Sequence, residues 1–334
     1  MPNDDPYRSL AQRLARVDRT PTRRREAAAG SASRRLGDVS LFAGLGALAI
    51  GEYAWKIENM MNLRQDAYAV IGALRAVGPP VVLRAQRARD TGDCHWQDGA
   101  RFGTRIRRRC QTAAAIVAST NVSADELLRA GYTSIHRIDY GAEEIEPRSA
   151  ASRFHARSAL ADANHDLEVA EFAPVAICVD RFAEGRGLAE LIRAWFPIAD
   201  RWPSAKLWLI GDGPLRDSLY QSVVDLGLRQ QIAMPGSFDE LSELYYAADL
   251  FVSAAPDYGM SQAMVEAMAA GLPIIASDTP DVREIIEDAI HGYLIPPGDR
   301  QRMSVRIAQL FESTDVALRQ GEAARRLANE CYSL

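Results

Sequence analysis

Over residues 175–311 the chain repeats one pattern six times: a short apolar run, a turn, then a stretch with helical spacing. The apolar runs are Val175–Val179, 207–210, one near Ile232, 250–252, 274–276 and 293–295. Helical stretches follow at about 187–199, 215–226, a segment ending near Ala247 with Asp239 as its expected cap, 261–269 stopped by Gly271, 282–287, and 300–311. Continuous apolar strands are buried on both faces, so the pattern predicts an α/β, doubly wound parallel sheet with helices on either side. In such sheets ligands sit at the carboxyl ends of the strands. The residues just after each strand are therefore where chemistry is to be sought.

The rest of the chain is less regular. Its 334 residues suit two domains. Residues 1–36 are rich in Arg, Ala and Ser with weak periodicity, and read as a mobile or partly helical tail. Residues 37–170 hold sparser elements: helical spacing over 62–77, a strand at 81–83 after Pro79-Pro80, and a strand at 113–118. Ser123 with Glu126 has capping-box spacing for a helix that Gly131 ends, and a third strand follows at 135–138. The segment 146–171 reads as a link. Residues 171–314 form the regular domain and 315–334 a final helix.

Charge and composition exclude several classes. The formal net charge of −5 argues against general nucleic-acid binding. Residues 1–150 carry 23 Lys+Arg against 17 Asp+Glu and the remainder 16 against 27, which suits two domains with different tasks. Arg101, Arg105, Arg107, Arg108 and Arg109 form either a solvated helix face, the simpler account, or a surface for acidic lipid headgroups. The four cysteines make no C-x-x-C pair, and no metal-ligand cluster stands out, so neither a metal nor a cofactor is expected. The first twenty residues hold no apolar core, and the run 41–50 is too short to span a membrane. A reduced, cytoplasmic setting follows from this reading.

Three constellations stand at strand ends. Arg181 and Arg186-Gly187 follow Val175–Val179, and two guanidinium groups there suit one phosphate-bearing ligand. Gly211-Asp212-Gly213-Pro214 follows the second strand, and its glycines allow close backbone approach to a ligand. Asp257-Tyr258-Gly259-Met260-Ser261 runs into a helix carrying Glu266 among Val265, Ala267 and Met268. The free N–H groups and dipole of a helix start favour an anion. Each has an ordinary reading by itself: solvated arginines, a tight turn, a glutamate facing solvent.

Taken in order, these segments resemble the C-terminal domain of glycosyltransferase family 4, the retaining, GT-B-fold enzymes that use nucleotide-sugars. That family carries a G-R-x-x-x-x-K-G-like segment, a G-D-G-P turn, an A-D-L-F-V strand, and an E-x7-E segment continuing as A-M-A-x-G-x-P. Here the matches are Arg181 with Arg186-Gly187, Gly211 to Pro214, Ala248-Asp249-Leu250-Phe251-Val252, Glu266 to Pro273, Glu284, and Gly292 to Asp299. The N-terminal half is similar to that family more weakly, through 113–118, the helix after Ser123, and His136 to Gly141.

The resemblance implies two Rossmann-like domains, the C-terminal one complete and the N-terminal one reduced. It implies a nucleotide-diphosphate-sugar as co-substrate and a glycan, lipid or small-molecule hydroxyl as acceptor. Arg181 and Arg186 would hold the diphosphate, with backbone N–H groups near Met260 and Ser261. Gly211, Gly213 and Gly259 would shape the site, Glu266 would accept from the ribose hydroxyls, and the base would lie near Gly236. Three departures matter. Tyr258 stands eight residues before Glu266, where the family has a Glu that serves the donor sugar. The opening strand and Gly-rich loop of the N-domain are not evident. Gln86 stands where a strand-end histidine is often found, and His95 is the nearest histidine. Two functions are consistent with this: a metal-independent, retaining hexosyltransferase, or a catalytically degenerate relative that binds a nucleotide-sugar. A plain interaction scaffold leaves Arg181, Arg186 and Glu266 unexplained.

Overall fold

The structure is a computed structural model that describes residues 61–62, 82–85, 103–113, 115–143, 145–256 and 261–333. The tail 1–36, the run 41–50, most of the span 62–77, Gln86, His95 and Arg101 lie outside these residues, as do Asp257, Tyr258, Gly259 and Met260. Contacts divide the chain into two units, Met1–Ile138 and Asp139–Leu334.

In the first unit, β1 (Met61–Asn62), β2 (Val82–Ala85), β3 (Ala115–Ala118) and β4 (Ile135–Arg137) form a parallel sheet in that order. Asn62, expected to start a helix, instead pairs with Arg84 as a strand residue. Helix α1 (Gly103–Cys110) carries Arg105, Arg107, Arg108 and Arg109. Helix α2 (Asn121–Arg129) is capped not by Ser123 but by Thr120, whose hydroxyl accepts from the Ser123 N–H at 3.1 Å. The cap falls three residues early because Thr120 sits where the chain leaves β3 in an extended conformation, the geometry an N-cap requires.

The second unit follows the predicted alternation closely. Its strands are β5 (Val175–Val179), β6 (Lys206–Ile210), β7 (Ile232–Gly236), β8 (Leu250–Ser253), β9 (Ile274–Ser277) and β10 (Gly292–Ile295). All are parallel, in the order β10-β9-β8-β5-β6-β7. The chain thus winds outward from β5 to β7, returns to the other side of β5, and winds outward again. The reversal lies between β5 and β8, and that is where such a sheet opens a crevice for a ligand.

Alternate residues of the strands face opposite ways, and each set has its own helices. Val175, Ile177, Trp208, Ile210, Phe251 and Ile274 pack with α3 (Ala150–Ala163), α6 (Ser242–Ala247), α7 (Gln262–Ala269) and α10 (Thr314–Cys331). Ala176, Leu207, Leu209, Val252 and Ile275 pack with α4 (Leu188–Arg201), α5 (Arg216–Asp225) and α9 (Arg300–Glu312). Trp208 and Trp195 are fully buried, one in each layer. Burying side chains of that size supplies roughly 1.5–3 kcal/mol each or more.

Three local expectations are corrected. The segment 146–171 is not a plain link: it contains α3 and belongs to the second unit. The buried Arg157 of α3 donates from Nε to the Ala247 carbonyl, from Nη1 to the Ala170 and Glu171 carbonyls, and from Nη2 to Asp249. Asp249 also receives Arg153 and the Val175 N–H, so α3 is pinned to the amino ends of β5 and β8. Asp239 does not cap α6; Glu240 accepts from the Ser242 N–H at 3.2 Å instead. The helix expected over 282–287 is the shorter α8 (Pro280–Arg283), because Thr279 accepts from the Val282 N–H and Pro280 presets the first turn.

Candidate functional site

The site is built from the loops that leave the carboxyl ends of β5, β6, β7 and β8. β5 delivers Asp180 and Arg181 directly. Asp180 is nearly buried, with 13 % of its side chain exposed, and its Oδ1 is shared by two donors. The Arg181 N–H donates to it at 2.7 Å and Arg186 Nη1 at 2.9 Å. Arg186, read from sequence as a phosphate ligand, is therefore held by a carboxylate of its own loop. Burial pushes the Asp180 carboxyl up from the ordinary 3.8 to about 6, and Arg186 and the Arg181 N–H only partly offset this. Arg181 is exposed.

The turn after β6 lies against this loop. Gly211 donates to the Gly236 carbonyl at 2.8 Å and has φ +135°; a Cβ on it would stand 1.9 Å from the Asp180 carbonyl oxygen. Only glycine permits that contact. Gly213 donates to Asp212 Oδ1 at 2.7 Å, and Phe182 donates to the Asp212 carbonyl at 2.9 Å. Gly236 closes β7, where Arg216 Nη2 reaches the Met234 carbonyl at 3.0 Å. Between these turns is a cavity of about 360 Å³ lined by Asp180, Arg181, Gly211, Asp212, Ser237 and Phe238, among others.

The β8 side carries the remaining residues. Ser261 is the N-cap of α7 and accepts from the Met264 N–H at 3.2 Å, so the helix begins at Gln262. Glu266 does not simply face water. Its Oε2 accepts from the Tyr245 hydroxyl at 3.0 Å and its Oε1 from Gln262 Nε2 at 2.9 Å. Burial, reinforced by the Glu266 carboxylate, pushes the Tyr245 phenol well above its ordinary range, so it remains a donor. Gln262 is tied in turn to the Gly141 carbonyl at 2.6 Å. A carboxylate has about four lone-pair positions, so a ligand hydroxyl can still be received by this anchored group.

Of the residues expected from sequence, Arg181 and Gly211 line the cavity, Gly213 and Gly236 are next in sequence to its lining residues Asp212 and Ser237, Arg186 is paired with Asp180, and Glu266 lies on the β8 side of the strand-order reversal. Tyr258, Gly259 and Met260 fall outside the described residues. Sequence reading passed over Asp180, Tyr245 and Gln262. Asp180 had a usable signal, being the first polar residue after an apolar strand; the other two are joined to Glu266 only by tertiary contact. Among the described residues, no group of three or more His, Cys, Asp or Glu is placed to hold a metal ion, and no helix is long and apolar enough to cross a membrane.

Residues 173–313 match the family model described as "Glycosyl transferases group 1". Through this stretch the chain is similar to the group 1 glycosyl transferases. Relatives include the lipopolysaccharide core biosynthesis glycosyltransferase LpsE of Rhizobium meliloti, 28% identical over 47% of this chain and 45% of that protein. The alpha-D-kanosaminyltransferase of Streptomyces kanamyceticus is 23% identical over 87% of this chain and 80% of its own. The chain therefore spans less than half of LpsE but most of the kanosaminyltransferase. Among solved structures, Anabaena HepE in complex with UDP-glucose superposes with a TM-score of 0.65 at 21% identity, covering 80% of this chain and 73% of HepE. The fold of the chain is accordingly GT-B, with two α/β units, each built on a parallel sheet.

Proposed function

We propose that the protein binds a nucleoside-diphosphate sugar at the reversal between β5 and β8 and transfers its sugar to an acceptor hydroxyl with retention of configuration. The observation that carries this is the convergence of Arg181, Arg186 and the glycine turns at the carboxyl ends of β5 and β6, beside the cavity. The HepE complex with UDP-glucose supports a nucleotide-sugar as the ligand class. In this reading the base enters the cavity near Gly236 and Phe238, and the diphosphate faces the arginines and the start of α7. Glu266, fixed by Tyr245 and Gln262, receives the ribose hydroxyls.

Breaking the sugar–phosphate bond leaves new negative charge on the departing diphosphate. Preoriented cations and helix N–H groups at that point stabilise the charge as it develops. A second reading, donor binding without transfer, is favoured by one observation: Tyr258 occupies the position eight residues before Glu266 where the resemblance places a carboxylate.

The test is a panel of UDP-, GDP- and ADP-sugars scored by melting temperature, followed by a turnover assay with the member that binds. At least one donor should raise Tm, and Arg181→Ala should remove the shift. No shift with any donor sinks the reading. A shift without sugar release or transfer selects the second reading over the first.

A further inference from the structure

Asp180 is not needed by the functional reading above, yet it occupies the middle of the site. It stands where the G-R-x-x-x-x-K-G-like segment has its leading glycine, a residue that offers no carboxylate. Its backbone needs no glycine, since the described non-glycine residues with positive φ are Ser134 and Ala289. Its side chain lines the cavity and is nearly buried, and its Oδ1 joins the Arg181 N–H to Arg186 Nη1.

We propose that Asp180 is a resident counter-ion for Arg186, and that an incoming donor diphosphate competes with it for the guanidinium while Asp180 takes up a proton from solvent. This rests on the reading of the site as a diphosphate seat. The step is a simple proton balance: the Asp180 carboxylate and one solvent proton become a carboxylic acid, and Arg186 exchanges one anionic partner for another.

Two physical effects drive it in the same direction. A like charge brought close to a carboxylate disfavours its ionised form, and so does loss of a cationic partner. Asp180 is poised for this, since burial already pushes it up to about 6. Among the described residues, few other groups beside it are able to titrate in its place. The Cys178 thiol behind it is fully buried and pushed well above its ordinary value by that burial, so it stays neutral. The cations of its own loop are Arg181 and Arg186. Asp212, on the neighbouring turn, is largely exposed and lies near Arg216.

Linkage then sets the sign. If binding raises the proton affinity of Asp180, donor affinity falls as pH rises above about 6. The fall approaches tenfold per pH unit where one full proton is taken up, and ends once pH exceeds the value in the complex.

The experiment is calorimetric titration with whichever nucleotide-sugar of the panel binds, from pH 5.5 to 8.5, in buffers of different ionisation enthalpy. A nucleotide-sugar is used because the terminal phosphate of a free diphosphate, with a second pKa of about 6, would itself titrate. Wild type should take up between a half and one proton per donor near pH 7 and lose about tenfold in affinity or more across the range. Asp180→Asn should take up none, bind with a flat pH profile, and bind more tightly than wild type at pH 8. Asp212→Asn should keep the wild-type proton uptake.

Wild-type binding that is flat with pH overturns the inference while leaving donor binding intact. So does equal proton uptake in wild type and Asp180→Asn, or weaker binding by Asp180→Asn at pH 8, which would make Asp180 a support for Arg186 rather than a competitor. If Asp180→Asn fails to fold, the wild-type pH profile decides alone. No binding of any donor by wild type overturns both this inference and the functional reading.

Discussion

Gly187 and Gly227 offer a matched pair for testing how closely the loops at the strand-order reversal approach each other. Both have a left-handed φ, +69° and +70°. Around Gly227 a Cβ would meet nothing within 4 Å, whereas on Gly187 it would stand 2.0 Å from the Ala254 carbonyl oxygen and 2.7 Å from its carbon. Alanine at either position incurs the left-handed penalty of an L-residue, about 1–2 kcal/mol. Alanine at 187 must also displace backbone by about an ångström, since a real Cβ essentially never comes within 3.0 Å of a neighbouring heavy atom. Overpacking of that kind costs roughly 1–3 kcal/mol more. The total for Gly187→Ala is about 2–5 kcal/mol against about 1–2 kcal/mol for Gly227→Ala. For a domain of this size each kcal/mol moves Tm by about 2–4 °C, so the expected drops centre on about 10 °C and about 5 °C. Differential scanning calorimetry of both variants provides the measurement. Ala254→Gly should not rescue Gly187→Ala, because the obstruction is the carbonyl of residue 254 and not its methyl. Equal Tm shifts for the two alanine variants would refute the close approach of the β5 and β8 loops, and with it the crevice.

Two further expectations concern stability. The folded-state pKa of Asp180 is raised from 3.8 to about 6, so between those values the folded protein binds more protons than the unfolded chain, and this group's contribution to stability falls as pH rises. The shift corresponds to about 3 kcal/mol; urea unfolding of wild type and Asp180→Asn at pH 4 and pH 7.5 should show wild type losing about that much relative to the variant, and a constant difference would refute it. Arg157→Met, which removes the buried partner of Asp249 at the opposite ends of the strands, should cost about 3–5 kcal/mol. It should leave donor affinity within about twofold by calorimetry, and a larger loss would mean that α3 reaches the site.

The layout of the second unit was legible in the chain because its signal is local and repeated. Six apolar runs, each followed by helical spacing, leave a parallel sheet with helices on both faces as the one economical arrangement, and strand Val175–Val179 is found with the bounds expected. The boundaries that moved did so for reasons of hydrogen bonding at single residues. Thr120 outcompeted Ser123 as a cap, and Thr279 with Pro280 started α8 early. Periodicity does not register such choices, since they depend on where the preceding strand lets go of the backbone.

What the sequence determined by itself was the class of fold, the identity of the residues after each strand, and the chemistry those residues are able to offer: guanidinium groups, flexible turns and a helix start. What only the tertiary structure decided was how those groups are partnered. Arg186 read as a phosphate ligand, and the fold hands it first to Asp180. Glu266 read as either a ligand contact or a solvated acid, and the fold anchors it between Tyr245 and Gln262. Asp249 read as part of a strand motif, and the fold makes it the acceptor that joins β5 to α3. The physical reason is common to all three. The charge of a side chain is a property of its residue, but the cost of burying that charge is met by whichever groups the crossovers bring alongside, and these come from elements distant in the chain.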